Sequence, residues 1–146
     1  MIDGVFIKKI IRQRSKNGFF AELLKEDDPF FYHIKQTSYS ETLPGVIKAF
    51  HYHFKQDDVW FVTKGNVMTV LYDLRDNSVT KGKTQVIRMG VDNPLLVFIP
   101  RGVAHGYKVL GKQIAGVIYH TTASYNPKDE FRILFDDPKI GFDWTK

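Results

Sequence analysis

The chain has 146 residues, of which 43% are hydrophobic and 25% are charged, values that predict one domain, residues 1–146, with a single core. It contains no cysteine, which excludes disulfides and thiolate chemistry and fits a reducing compartment. The opening segment MIDGVFIKKIIRQR lacks the apolar stretch of a signal peptide, and the longest apolar run, residues 95–99, is too short to span a bilayer. We therefore expect a cytoplasmic protein that does not partner a membrane.

The formal net charge is +5, and this is the one unusual global value. A basic protein can attract nucleic acid, anionic lipid or a phosphorylated small molecule. Its lysines and arginines are scattered among the predicted strands, without a dense run or a nucleic-acid-binding motif. The pattern favours a small phosphorylated ligand over nucleic acid, and a lysine-rich solvated surface remains the alternative.

Short apolar segments separated by turn residues follow one another along the whole chain. Pro44-Gly45 predicts a turn, Lys64-Gly65-Asn66 predicts a hairpin loop, and residues 127–130 are the one helical candidate, a single turn. Many short strands with regular breaks are typical of an all-β sandwich or barrel. The predicted strands are residues 5–11, 18–24, 30–36, 46–54, 59–63, 67–74, 84–89, 95–99, 106–110 and 114–121.

Histidines concentrate in the segment from Gly45 to Gly65. His51 and His53 lie two residues apart in an alternating segment, and residues i and i+2 of a strand face the same side. Asp58 follows, and Pro100-Arg101-Gly102-Val103-Ala104-His105 supplies a third histidine after a turn. The pattern predicts one site that contains all four side chains. Structural hydrogen bonding of His53 and His105, and a solvated turn carboxylate at Asp58, remain open alternatives.

Gly45, His51-x-His53, Asp58 and Gly65 have the spacing of the first cupin motif, with aspartate in place of the usual glutamate. Pro100-x-Gly102-x-x-His105 is similar to the core of the second motif. The resemblance implies a cupin jelly-roll β-barrel, which agrees with the all-β prediction from the strands.

Within the cupins, the chain resembles the dTDP-4-dehydrorhamnose 3,5-epimerase family. The similar segments are Gly45-Val46-Ile47-Lys48-Ala49-Phe50-His51-Tyr52, Asp73-Leu74-Arg75, Ile99-Pro100-x-Gly102-x-Ala104-His105-Gly106-Tyr107, Tyr119-x-Thr121-Thr122, Tyr125-Asn126-Pro127-x-x-Glu130 and Asp136-Asp137-Pro138-x-Ile140-Gly141-x-Asp143-Trp144. They occur in the family's order and cover nearly the whole chain.

The resemblance implies epimerisation or isomerisation of a nucleoside-diphosphate-linked 4-keto-6-deoxy sugar through an enolate, in surface-polysaccharide or deoxysugar synthesis. His51 has the position of the family's base and Tyr119 that of its general acid. Lys48, Glu22 and His105 have the positions of substrate contacts, Lys48 to phosphate and Glu22 to the nucleotide. The resemblance also implies a homodimer and no cofactor.

Two departures from the family bear on the mechanism. Asp58 stands where the family has a lysine, and the chain ends two residues after Trp144, before the aspartate that pairs with the family's catalytic histidine. Another carboxylate could orient His51, but the sequence does not select one. A single-carbon epimerase or a related isomerase is therefore as compatible with the sequence as a 3,5-epimerase.

The same departures favour a different class of enzyme. His53 replaces a glutamine of the family, so His51, His53, Asp58 and His105 together form a possible site for one divalent metal ion. Two imidazoles, a carboxylate and a third imidazole suit Zn, Fe, Mn or Ni. Such an ion could act as a Lewis acid on the substrate, in a metal-dependent cupin enzyme. The third alternative is a non-catalytic cupin that binds a sugar nucleotide.

Overall fold

A computed structural model describes residues 1–31 and 33–146. Apart from a 3-10 turn at Pro127–Asp129, its regular elements in this part of the chain are all strands. They are β1 (Phe6–Lys9), β2 (Gln13–Ser15), β3 (Gly18–Phe20), β4 (Gln36–Thr42), β5 (Ile47–Tyr52), β6 (Asp58–Lys64), β7 (Asn66–Asp73), β8 (Thr84–Gly90), β9 (Leu95–Ile99), β10 (Val103–Leu110), β11 (Ala115–Thr121) and β12 (Phe131–Arg132). The predicted all-β class is confirmed. Within the described residues, no helix has the length and apolar character needed to cross a membrane.

The strands form two five-stranded antiparallel sheets and a small hairpin. One sheet has the order β1-β9-β6-β11-β4, the other has the order β12-β5-β10-β7-β8, and β2 pairs with β3. Sequential strands alternate between the two sheets from β4 to β7 and again from β8 to β11. This connectivity joins distant parts of the sequence, so that β5 lies beside β10 and β6 lies beside β11.

The main core fills the space between the two sheets. Trp60 and Val117 contribute to it from one sheet, and Leu71 and Tyr107 contribute from the other. Along the strands, core residues that face the other sheet alternate with residues that face outward, as in a two-sheet sandwich. The apolar packing therefore holds the two sheets face to face.

Both chain ends cover the outer faces of the sheets. Ile140 and Trp144 pack on Phe50 and Met68, where the Phe50 and Trp144 rings lie 5.5 Å apart between centroids. On the other sheet, Ile10 and Phe30 pack against Val59, Leu96 and Phe98. The terminal segments thus bury apolar surface that the sheets alone would expose to water.

The structure corrects the predicted hairpin at Lys64-Gly65-Asn66. β6 and β7 belong to different sheets, and the chain crosses from one to the other at Gly65. Gly65 has φ +67°, and a Cβ there would lie 2.4 Å from the Ile114 carbonyl oxygen. Glycine is required because the crossing strand passes directly over the backbone of its neighbour.

The predicted strand over residues 30–36 is wrong in its described part. Tyr32 lies outside the described residues, and the strand of this region, β4 (Gln36–Thr42), begins where the prediction ended. Phe30 is buried against the outer face of the first sheet. The apolar character of this segment reflects that packing, which a pattern of short apolar runs cannot distinguish from a strand.

Candidate active site

A cavity of about 290 Å³ opens between the two sheets at the margin formed by β4, β5 and β12. Alternate residues of β4, Gln36, Ser38 and Ser40, contribute polar groups to its wall. The remaining lining residues are Lys48, His51, His53, Gln56, Asp58, Trp60, His105, Tyr107, Tyr119, Thr121, Tyr125, Asn126 and Glu130. Six predicted functional side chains therefore meet in one place: Lys48, His51, His53, Asp58, His105 and Tyr119.

Lys48 reaches this cavity because β5 carries a bulge. His51 lies opposite His105 on β10, whereas Lys48 lies opposite Tyr107, so three steps along β5 match two along β10. An inserted residue changes the alternation of side chains along a strand. Regular alternation would have placed Lys48 and His51 on opposite faces, and the bulge puts both on the cavity side.

His51 is paired with a carboxylate. Its Nδ1 atom lies 3.3 Å from Oε1 of Glu130, and the side chains are 32% and 23% exposed. Burial lowers the pKa of His51, with a contribution from the nearby Arg132, and Glu130 opposes the shift. Burial acts to raise the pKa of Glu130, but a hydrogen bond from Tyr125 and the charges of Arg132 and His51 lower it overall. The pair at neutral pH is a neutral imidazole beside a carboxylate.

Tyr119 belongs to a chain of hydroxyl groups. Its oxygen lies 2.9 Å from Ser40 Oγ and 3.0 Å from the hydroxyl of Tyr107, which in turn lies 2.8 Å from Thr42 Oγ1. Burial and the neighbouring Tyr107 raise the pKa of Tyr119. The phenol stays protonated, and its proton has hydrogen-bonded neighbours through which it can be replaced.

His53, Asp58 and His105 form a tight cluster, with one potential ligand atom from each lying within 4.8 Å of the others. His53 Nδ1 lies 2.6 Å from the Asp129 carbonyl oxygen, and His105 Nδ1 lies 3.0 Å from that of Val103. Both rings can donate through Nδ1, which leaves Nε2 free as an acceptor or metal ligand. Within the described part of the chain, His51 is not a member of this cluster, and its ring pairs with Glu130 instead. The predicted four-residue metal site stays a prediction.

The carboxylate of this cluster already has hydrogen-bond donors from the protein. Asp58 accepts from Gln56 Nε2 at 2.8 Å and from Trp60 Nε1 at 3.1 Å. His105 Nε2 lies 3.7 Å from Asp58 Oδ2. Burial lowers the pKa of His105 to about 4, although Asp58 opposes the shift, so this imidazole is neutral at pH 7. Asp58 is thus a buried hydrogen-bonded carboxylate and not a solvated turn residue.

Glu22, the predicted nucleotide contact, is not brought to this cavity. It is exposed and lines a separate depression together with Lys8 and Lys25, so its role stays a prediction. His33 is exposed, and His120 bonds Thr37 through Nδ1 at 3.0 Å on the far side of β11 from Tyr119. Both histidines lie away from the cavity, as the strand alternation predicts for His120.

Sequence reasoning did not assign a role to Glu130, Trp60 or Asp129. Trp60 packs edge-on against His105, Tyr107 and Tyr119, at centroid distances of 5.0, 5.8 and 5.3 Å. Asp129 accepts from the backbone amides of Phe54 and Lys55 and so fixes the segment after β5. The signal that could have found the two carboxylates was the motif Tyr125-Asn126-Pro127-x-x-Glu130, in which Asp129 ends the 3-10 turn and Glu130 follows it.

Solved structures with the same architecture define the class of fold. A dTDP sugar isomerase from Desulfovibrio desulfuricans G20 superposes with a TM-score of 0.92 at 28% identity, over 99% of this chain and 92% of that one. A dTDP-6-deoxy-D-glucose-3,5-epimerase from Legionella pneumophila in complex with dTDP-4-keto-L-rhamnose has a TM-score of 0.90 at 29% identity, over 98% and 79% of the two chains. The fold is the cupin-type jelly roll of these epimerases.

Sequence comparison identifies the family. The profile of dTDP-4-dehydrorhamnose 3,5-epimerase matches residues 1–146. The spore coat polysaccharide biosynthesis protein SpsL of Bacillus subtilis is 56% identical over 99% of this chain and 97% of its own length. The dTDP-4-dehydrorhamnose 3,5-epimerase of Escherichia coli is 34% identical over 88% of this chain and 74% of its own length. The chain belongs to the dTDP-4-dehydrorhamnose 3,5-epimerase family.

Proposed function

We propose that the protein epimerises or isomerises a nucleoside-diphosphate-linked 4-keto-6-deoxy sugar, with His51 as base and Tyr119 as acid. One observation carries the proposal: His51 on β5 and Tyr119 on β11 come from opposite sheets and line the same cavity. Inversion at carbon needs a proton to leave from one face and return to the other. A base and an acid on opposite walls supply that arrangement.

The first step is removal of the acidic proton on the carbon next to the ketone. Neutral His51 takes the proton on Nε2, and the electrons of the broken C–H bond form the enolate with its negative charge on the ketone oxygen. The lowered pKa of His51 keeps the ring unprotonated and ready to accept. The imidazolium that forms lies beside the carboxylate of Glu130.

The second step returns a proton to the opposite face of the same carbon. The Tyr119 hydroxyl gives its proton as the enolate collapses to the ketone, and the phenolate is reprotonated through Ser40 or Tyr107. His51 later releases the first proton to solvent. The carbon is inverted, the atoms of the sugar are unchanged, and no cofactor is needed.

Lys48 binds the diphosphate group of the substrate. Among the described residues that line the cavity, Lys48 is the one lysine and arginine is absent. An ammonium group binds phosphate oxygens as a point charge, without the two-pronged geometry of arginine. The predicted sugar contact of His105 lies in the same cavity.

Proton exchange in heavy water tests the function. Incubation with dTDP-4-keto-6-deoxyglucose is expected to place deuterium at carbon 3 or carbon 5, as read by NMR and mass spectrometry. His51→Ala abolishes the exchange, whereas the matched control His33→Ala, which removes an exposed histidine outside the cavity, preserves it. Binding of the nucleotide sugar without exchange would instead identify a non-catalytic binding protein.

We place the protein in the cytoplasm as a homodimer that serves surface-polysaccharide synthesis. The absence of cysteine is compatible with a reducing compartment. Phe19 and Phe20 on the β2–β3 hairpin are 57% and 62% exposed, which favours burial against a second copy. Light scattering on the purified protein, giving the mass of two chains, tests the assembly.

A second candidate function is metal-assisted catalysis. It is favoured by the clustering of His53, Asp58 and His105, whose Nδ1 atoms and carboxylate are already oriented by hydrogen bonds. The donor set suits Zn, Fe, Mn or Ni, and such an ion would polarise the ketone oxygen in place of the family's lysine.

Metal analysis separates the two functions. Protein purified without chelators is expected to hold a stoichiometric divalent ion if the second function is correct, and Asp58→Asn loses it. Asp136→Asn, an exposed aspartate outside the cavity, is the control. Exchange that survives chelation in metal-free protein would contradict metal assistance and favour the first function.

A further inference from the structure

Glu130 follows the 3-10 turn Pro127–Asp129 directly and precedes β12. β12 pairs with β5 so that Arg132 lies opposite His51. This pairing brings the Glu130 carboxylate to the edge of the His51 ring, with Oε1 at 3.3 Å from Nδ1. The register of β5 and β12 therefore brings together His51 and Glu130, which are 79 positions apart in sequence.

The other nearby carboxylates are occupied. Asp58 and Glu130 are the two carboxylates among the described residues that line the cavity. Asp58 accepts from Gln56 and Trp60 and lies beside His105. Both oxygens of Asp129, which is buried behind the cavity, accept from the amides of Phe54 and Lys55.

Glu130 itself is held from two sides. Tyr125 hydrogen-bonds to its carboxylate, and Arg132 Nη2 lies 3.5 Å from Oε1. A carboxylate restrained in this way can restrain the ring next to it. The partner of one ring nitrogen decides which tautomer an imidazole adopts.

We propose that Glu130 is the positioning residue of His51: it accepts the Nδ1–H bond, fixes the Nδ1–H tautomer and leaves the Nε2 lone pair for the substrate proton. This role rests on the proposed function, in which His51 is the base. After proton transfer, the carboxylate also lies against the imidazolium charge.

The experiment compares the full-length wild-type protein with Glu130→Gln, Glu130→Ala and the control Glu26→Gln, which changes an exposed glutamate in the loop before Phe30. The rate of deuterium exchange into dTDP-4-keto-6-deoxyglucose gives kcat and KM. Nitrogen-15 NMR of histidine-labelled protein gives the tautomer of His51, whose signals are assigned by their loss in His51→Ala.

We expect kcat to fall about 10²-fold in Glu130→Gln and further in Glu130→Ala, with KM nearly unchanged. Glutamine can still accept from Nδ1, so it retains the Nδ1–H tautomer without the negative charge, whereas alanine lets the Nε2–H tautomer appear. Glu26→Gln changes neither readout. A purely structural role of Glu130 would alter stability without changing the tautomer.

Wild-type kcat in Glu130→Gln and Glu130→Ala, or an unchanged tautomer in Glu130→Ala, overturns the proposal. If wild-type protein shows no exchange with the sugar, the proposed function fails by itself. The NMR spectra then still decide whether Glu130 sets the tautomer of His51, because they need no substrate.

Discussion

The hydroxyl oxygens of Tyr107 and Tyr119 lie 3.0 Å apart, although the two residues belong to strands of opposite sheets. Tyr107 is buried with Thr42 as its second partner, and Tyr119 faces the cavity with Ser40 as its second partner. The contact links the interior of the sandwich to the wall of the candidate active site. It makes Tyr119 a protonated phenol whose proton can be replenished.

Tyr119→Phe separates the two halves of the proposed reaction. Removing the hydroxyl deletes the acid but leaves His51, so we expect deuterium to enter the substrate while inversion falls about 10²-fold or more. NMR of the sugar ring measures exchange and configuration in one sample. Tyr39→Phe, an exposed tyrosine of β4, is the control. Loss of exchange and inversion to the same extent would contradict the assignment of Tyr119 as acid.

Lys48 is predicted to act on binding more than on chemistry. We expect Lys48→Ala to raise KM about 10-fold, which corresponds to the loss of about 1.4 kcal/mol of binding, because the diphosphate loses its cationic partner. Lys48→Arg keeps the charge and most of the affinity. Steady-state kinetics at two salt concentrations measure the effect, since wild-type KM rises with salt and that of Lys48→Ala rises less.

The control for Lys48 is Lys112→Ala, an exposed lysine outside the cavity. An unchanged KM in Lys48→Ala would place the diphosphate elsewhere.

Asp73 is predicted to make stability depend on acid pH. Its fully buried carboxylate accepts from Arg75, Ser78 and Thr80. Burial acts to raise the pKa of Asp73, but these hydrogen bonds hold it well below its ordinary value. A carboxyl group of lowered pKa stabilises the fold fully above about pH 4, its unfolded pKa, and progressively less as the pH falls towards its folded pKa.

Urea unfolding at pH 7 and at pH 3 measures the contribution of Asp73. We expect Asp73→Asn to lower the free energy of unfolding at pH 7 by about 2–3 kcal/mol, because it leaves buried donors unsatisfied. The loss is smaller at pH 3, where the wild type has itself lost part of this contribution. Asp76→Asn, which changes an exposed carboxylate paired with Lys81, leaves the free energy nearly unchanged. Equal effects of Asp73→Asn at both pH values would refute this account.

Gly65 and Gly111 provide a matched pair for testing the sheet crossing. Their φ angles are +67° and +73°, but a Cβ at Gly65 would meet the Ile114 carbonyl, whereas a Cβ at Gly111 meets nothing within 4 Å. We expect Gly111→Ala to cost about 1–2 kcal/mol for its backbone conformation. Gly65→Ala costs about 1–3 kcal/mol more because of the overlap. Thermal and urea unfolding measure both, and equal losses would show that the overlap is relieved without cost.

The sequence by itself determined the fold class, most strands and six of the residues that line the cavity. The apolar run 95–99 is a strand with the predicted bounds, because a short buried run between turn signals has few alternatives. His51, His105 and Tyr119 were recognised because the motifs that contain them are local in sequence. Motifs and short apolar runs consist of residues that are adjacent in sequence, so they can be identified without the tertiary structure.

Only the tertiary structure decided how the strands are paired and which carboxylate lies beside His51. A glycine-containing turn such as the one at Gly65 is compatible with either a hairpin or a crossing between sheets. The alternation of residues along β5 does not reveal the bulge that turns Lys48 towards the cavity. The contact between His51 and Glu130 arises from the register of β5 and β12. Register is set by packing between segments distant in sequence, so the residues of either segment alone cannot specify it.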